Sequence, residues 1–347
     1  MENKKPEEKP TSPYLLPLAV VVAGVLISGA MLYEGRFPTG QTVALNGQNG
    51  QNGQIQNAES LSALESAVLP PDGVVLPVTW GDLGARLVSV GAIDGDKFAE
   101  MYDQRGEFTP EYQELLFGDR KGQLKITKDN AGYLLNLFWA LGLANKNPIL
   151  DTGEMVNPRY GGAKNFASTA GWTMAKGDSM EHFSRHMFFN LTPEQQALVE
   201  KVSKGIFRPC CGNSTYFPDC NHGMAMLGLL ELMASQGASE QDMWKTALTV
   251  NSYWFPETYL VIASYMMDKG TEWKDVNPQE MLGSDYSSGA GFARISSQVA
   301  GLKRQGNGGG CAVDAGQQRG GNDGNGCAVN TGQPAVAKPK PKSGCGV

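Results

Sequence analysis

The chain carries three histidines, and all of them fall between residues 182 and 222, the window that also holds Cys210, Cys211 and Cys220. Thiolate and imidazole are the side chains that bind soft and borderline metal ions, so the coincidence raises one question first: can these donors reach a common centre? The segment RPCCGNSTYFPDCNHGMAM, Arg208 to Met226, is rich in turn formers (Pro209, Gly212, Asn213, Pro218, Asp219), which predicts a loop followed by a helix beginning near Asn221. Cys211 and Cys220 are separated by eight residues, with His222 just beyond. That spacing lets two thiolates and an imidazole close on one ion, with Cys210 as a fourth donor. The pattern lacks the paired CxxC knuckles of zinc fingers. Upstream, Asp178 and Glu181 predict a capped helix through MEHFSRHMFFN, which sets His182 and His186 one turn apart on a single face, able to chelate an ion together.

The expected ligand set is therefore Cys210, Cys211, Cys220 and His222, extended by His182 and His186. Cys and His suit Zn, whereas the thioethers of Met187, Met224 and Met226 add softness that favours Cu(I), although methionine in a helix is commonly a flexible core filler.

Two other uses of the same residues compete with metal binding. In an oxidising compartment Cys220 would pair with Cys210 or Cys211, since the adjacent two bond each other only under strain, and the chain would be a disulfide-stabilised surface scaffold. Alternatively, Cys220 lies just ahead of a predicted helix, whose dipole lowers a thiol pKa, and this suits a Cys-dependent enzyme or thiol oxidoreductase. The chain contains no GxSxG, P-loop or dinucleotide fingerprint, and Asp151-Thr152-Gly153, the tripeptide of aspartic proteases, stands alone in a helical context. Binding therefore ranks ahead of catalysis.

The elements that must position these groups read as mainly α. Between residues 59 and 301 helix signals are frequent and strand signals few. Thr109-Pro110-Glu111 and Thr192-Pro193-Glu194 each supply an N-cap, a Pro in the first turn and an acid beside the dipole. Thr79 with Asp82 predicts a capped helix carrying Trp80, Leu83, Leu87 and Val90. Lys128 to Ala144 is apolar over most of its circumference and belongs in the core, Ser239 and Asp242 open a helix after Gly237, and Leu150 to Gly177 reads as an extended loop. Tyr253, Trp254, Phe255 and Tyr259 are expected to pack where two helices join.

The ends set the expected location. Residues 14–33, YLLPLAVVVAGVLISGAMLY, have the length of a single membrane-spanning helix, and Lys4, Lys5 and Lys9 before it put residues 1–13 in the cytoplasm and the rest outside. This makes the segment a signal-anchor, with cleavage near Ser28 and Ala30 as the competing reading. Residues 34–58, with their NGQ repeat, form a spacer. Residues 302–347 form a disordered Gly/Cys/Lys/Pro tail in which GGGCAVDAGQ recurs as GNGCAVNTGQ, carrying Cys311, Cys327 and Cys345. That arm could hand over metal or bond another surface protein. The net charge is −6, yet residues 301–347 hold six bases against two acids and residues 1–13 three against three, so the middle carries −10. So acidic a body has no basic footprint for phosphate and excludes nucleic acid as its partner.

Overall fold

The computed structural model describes residues 60–299, and the expectations for residues 1–13, 14–33, 34–58 and 302–347 fall outside them. The described part is mainly helical, and none of its helices is long and apolar enough to cross a membrane. A first helix, α1 (60–68), leads into a strand, β1 (Val74–Gly81), which pairs antiparallel with β2 (Arg120–Ile126) in a two-stranded ribbon with Val74 opposite Ile126 and Gly81 opposite Arg120. Three short helices, α2 (Leu83–Ser89), α3 (Gly95–Asp103) and α4 (Pro110–Phe117), fill the connection.

The helix expected from Thr79 is thus half strand. Leu76, Val78 and Trp80 are buried in alternation, a period of two, and the Trp80 indole donates to the Leu115 carbonyl at 2.8 Å. Asp82 precedes α2 but makes no side-chain cap bond. The Pro-led starts hold: Thr109 accepts from the Tyr112 amide, and Thr192 forms a capping box with Gln195 at the head of α6 (Pro193–Gly205).

At the centre lies α5 (Ala131–Ala144), buried almost all round, against α7 (Asn221–Ser235), as fully buried; this is the most extensive helix pairing of the described residues. The two backbones approach closely at Gly142 and Gly228. A Cβ on Gly142 would collide with the Met224 carbonyl, and one on Gly228 with the Phe138 carbonyl. Gly237, at φ 78°, follows the end of α7, and Ser239 caps α8 (Glu240–Trp254) by accepting from Asp242. Then comes α9 (Pro256–Asp268), with Tyr253, Trp254, Phe255 and Tyr259 all buried around the α8/α9 junction, and finally α10 (Gly289–Ser296). Residues 152–177 carry only single helical turns, in keeping with the expected loop.

The helix predicted through His182 and His186 does not form. Asp178 does cap, accepting from the Met180 amide, but the turn it starts ends at Glu181. Ser184 then takes a left-handed φ of 53°, and the chain pairs with the end of α5, Ser184 N donating to the Leu143 carbonyl and His186 N to that of Ala144. These backbone bonds to α5 replace the local i to i−4 ladder.

Candidate metal centre

Residues 206–220 form the predicted loop. It is pinned by a bridge between Phe207 and Ser214, by Thr215 N donating to the Ile206 carbonyl, by the Asn251 amide donating to the Phe207 carbonyl, and by Gly289 N donating to the Cys211 carbonyl at 3.0 Å. Its last residue, Cys220, is the N-cap of α7, so the α5/α7 packing fixes where that sulfur sits.

The sulfurs of Cys210, Cys211 and Cys220 lie within 4.8 Å of one another, a group that can hold a metal ion. All three cysteines are free thiols, Cys220 buried and the other two half-buried. The Cys210 and Cys220 sulfurs are 3.6 Å apart. A disulfide requires about 2.05 Å, whereas two thiolates on a tetrahedral zinc with bonds of about 2.3 Å stand roughly 3.8 Å apart. The spacing matches shared coordination more closely than a bond.

Beneath the sulfurs lies Arg208, 1% exposed. Its Nε donates to the Cys220 sulfur at 3.0 Å, while its terminal nitrogens donate to an Asp219 carboxylate oxygen at 2.6 Å and to the Asn213 and Phe217 carbonyls, both at 3.1 Å. The other Asp219 oxygen accepts from the Asn213 amide at 2.7 Å. Gly223 leaves room for this fork: a Cβ there would sit 2.5 Å from the guanidinium carbon.

The electrostatics set the three sulfurs apart, favouring the thiolate at Cys220 and the thiol at the other two. Burial alone would keep Cys220 protonated, but hydrogen bonds from Cys210 and Cys211, the Arg208 charge and the His222 ring outweigh it and hold its pKa well below the ordinary thiol value. Cys210 moves the other way, raised by its hydrogen bonds to Cys211 and Cys220 and by burial. For Cys211 the bond to Cys210 favours ionisation, yet the bond to Cys220 and burial prevail and push it up to about 12. Burial opposes the charge on Arg208, but Cys220, Cys211 and Asp219 more than offset this.

His222 is buried, its ring 4.3 Å from that of Phe255 and 5.9 Å from that of Trp254, and its Nδ1 is enclosed with no hydrogen-bond partner. A buried ring nitrogen without a partner is the kind of atom a ligand satisfies. The structure therefore brings Cys210, Cys211 and Cys220 together, with His222 near Cys220 but outside the group of three sulfurs. It leaves His182 and His186 as a pair of their own, Nδ1 of the first 3.1 Å from Nε2 of the second. Met224 and Met226 are core residues and Met187 is 66% exposed, so Met224 and Met226 act as packing.

Arg208 and Asp219 escaped sequence reasoning. Asp219 read only as a turn former, and the sole signal for Arg208 was its place directly before Pro-Cys-Cys. Comparison of the chain with protein-family models, with curated proteins and with solved structures gives no match.

Proposed function

We propose that this protein binds one soft or borderline metal ion, Zn(II) or Cu(I), through Cys210, Cys211 and Cys220, with His222 as the fourth ligand. The observation that carries the reading is three free-thiol sulfurs within 4.8 Å of one another; His222, two residues past Cys220 with its Nδ1 buried and unpartnered, is the ligand the proposal adds to them. Arg208 acts one layer out, orienting the Cys220 sulfur and offsetting its charge, as hydrogen-bonding partners of metal ligands commonly do. Because the thiols of Cys210 and Cys211 are held above the ordinary value in the metal-free protein, binding displaces protons and strengthens with pH. In the same proposal, residues 14–33 anchor the protein in a membrane with this centre on the extracytoplasmic side, and the tail cysteines exchange metal with it.

The test is metal stoichiometry of the full chain purified under reducing conditions, together with Cys220→Ser and with a variant in which Cys311, Cys327 and Cys345 are serine. The tail variant is expected to retain about one ion per chain, and Cys220→Ser to lose it with its circular dichroism unchanged. Equal metal content in the wild type and Cys220→Ser overturns the assignment. The disulfide scaffold is the second reading, favoured by the proximity of Cys210 and Cys220. Thiol titration after denaturation without reductant separates the two, since thiolates freed of metal titrate and disulfides do not.

A further inference from the structure

We propose that His182 and His186 form a second cation site, sharing no residue with the cysteine centre and taking a divalent ion that prefers imidazole, such as Zn(II) or Cu(II). Two contacts converge. The His182 Nε2 lies 2.9 Å from the Lys176 carbonyl. A carbonyl only accepts, so the ring proton is on Nε2 and Nδ1 carries the lone pair. That arrangement, the outer nitrogen donating to a backbone carbonyl, is how proteins orient a metal-binding histidine. That Nδ1 accepts from the Nε2 of His186 at 3.1 Å, a contact that an ion between the two nitrogens would replace. An ion bonded at about 2.0 Å to each nitrogen would see them at roughly 100°, between the square-planar and tetrahedral angles.

The pair is also built rather than incidental. His182 is buried beside Gly91, where a Cβ would lie 3.3 Å from its Cε1, so the glycine leaves the ring its room, and the Lys176 carbonyl holds its outer nitrogen. The left-handed Ser184 turns the chain so that residues four apart meet without a helix, and the backbone bonds of 184 and 186 to the end of α5 fix both rings. His186 is only partly covered and Met187 beside it is exposed, which gives an ion a way in. Burial and the neighbouring His182 and Arg185 lower the His186 pKa, so the ring is neutral and competent to bind near neutral pH. On binding through Nε2, the His186 proton moves by way of solvent to Nδ1, and the ring stays neutral. With two protein ligands the remaining positions belong to water or to an exogenous ligand, the mark of an open site.

Zinc chloride titrated into the full chain, followed by equilibrium dialysis and by ring-nitrogen NMR of labelled histidine, tests this. The wild type is expected to bind one ion more than His186→Ala, with binding at this step weakened about tenfold or more in the variant, and the His182 Nδ1 and His186 Nε2 signals are expected to shift. Cys220→Ser is expected to keep this ion while losing the other. Equal stoichiometry in the wild type and His186→Ala, or histidine signals that do not move in the wild type, overturns the proposal and leaves the pair as a hydrogen bond tying residue 176 to residue 186. Loss of zinc in Cys220→Ser alone rejects this site and retains the cysteine centre; loss in His186→Ala alone does the reverse.

Discussion

A guanidinium that is 1% exposed needs counter-charge and acceptors, and Arg208 finds the Cys220 sulfur, the Asp219 carboxylate and two carbonyls. Removing one member of such a buried set strands the others. Arg208→Met is therefore expected to destabilise the protein by about 3–5 kcal/mol, measured by urea unfolding. Arg208→Lys, which keeps the charge but loses the fork, is expected to fall between the two. Wild-type stability in Arg208→Met would show that the fork is not what holds the loop. At this scale the sequence was most legible where chemistry is local. Turn formers around Cys210, Cys211 and Cys220 foretold a loop that gathers its own sulfurs, and Asn221 was read as the helix start. Arg208 was illegible because nothing in its neighbours says that its side chain turns inward, into room left by Gly223 fifteen residues further on.

The position of those sulfurs depends on one helix pairing. Cys220 and His222 open α7, and α7 is seated on α5 by the contact between Gly142 and Gly228. A methyl group at either glycine meets backbone, which cannot rotate away, so the helices must separate. Gly228→Ala is expected to cost about 3 kcal/mol, the upper end of what overpacking costs, and to weaken metal binding at the cysteine centre because the start of α7 moves relative to the 206–215 loop. Thermal melts and a metal titration check the two effects together; a melt unchanged from wild type rejects the claim that backbone contact fixes the spacing. The apolar stretch of α5 and the Ser239 cap of α8 gave helices as read, whereas the capping signals at Thr79 and Asp178 did not carry theirs. Distant partners decided both: the β1 residues needed β2, forty residues on, and the 182–186 segment surrendered its helix to backbone bonds with α5.

The scale of the whole molecule shows most clearly in Glu231, fully buried on α7 and legible to no local pattern. One carboxyl oxygen accepts from the Asn145 amide at 3.0 Å, and the other is enclosed with no partner. Asn145 in turn accepts from the Phe188 and Phe189 amides, and the neighbouring Asn147 exchanges hydrogen bonds with Gln196 of α6. One acid thus joins α7, the end of α5, the histidine-bearing segment and α6. Burial raises its pKa well above the ordinary carboxylate value, and the hydrogen bond from Asn145 only partly opposes this. The folded protein therefore holds a proton that the unfolded chain releases once the pH exceeds the ordinary glutamate value. Stability from this group is complete below that value and falls as pH rises toward the folded pKa, by up to about 1.4 kcal/mol per pH unit. Glu231→Gln keeps an acceptor for Asn145 and has no proton to lose. Urea midpoints of the two proteins, measured in chelator from pH 5 upward, are expected to diverge with pH, the variant becoming the more stable. Parallel curves would mean that the carboxyl is ionised in the folded state and that a cation, not a proton, balances it.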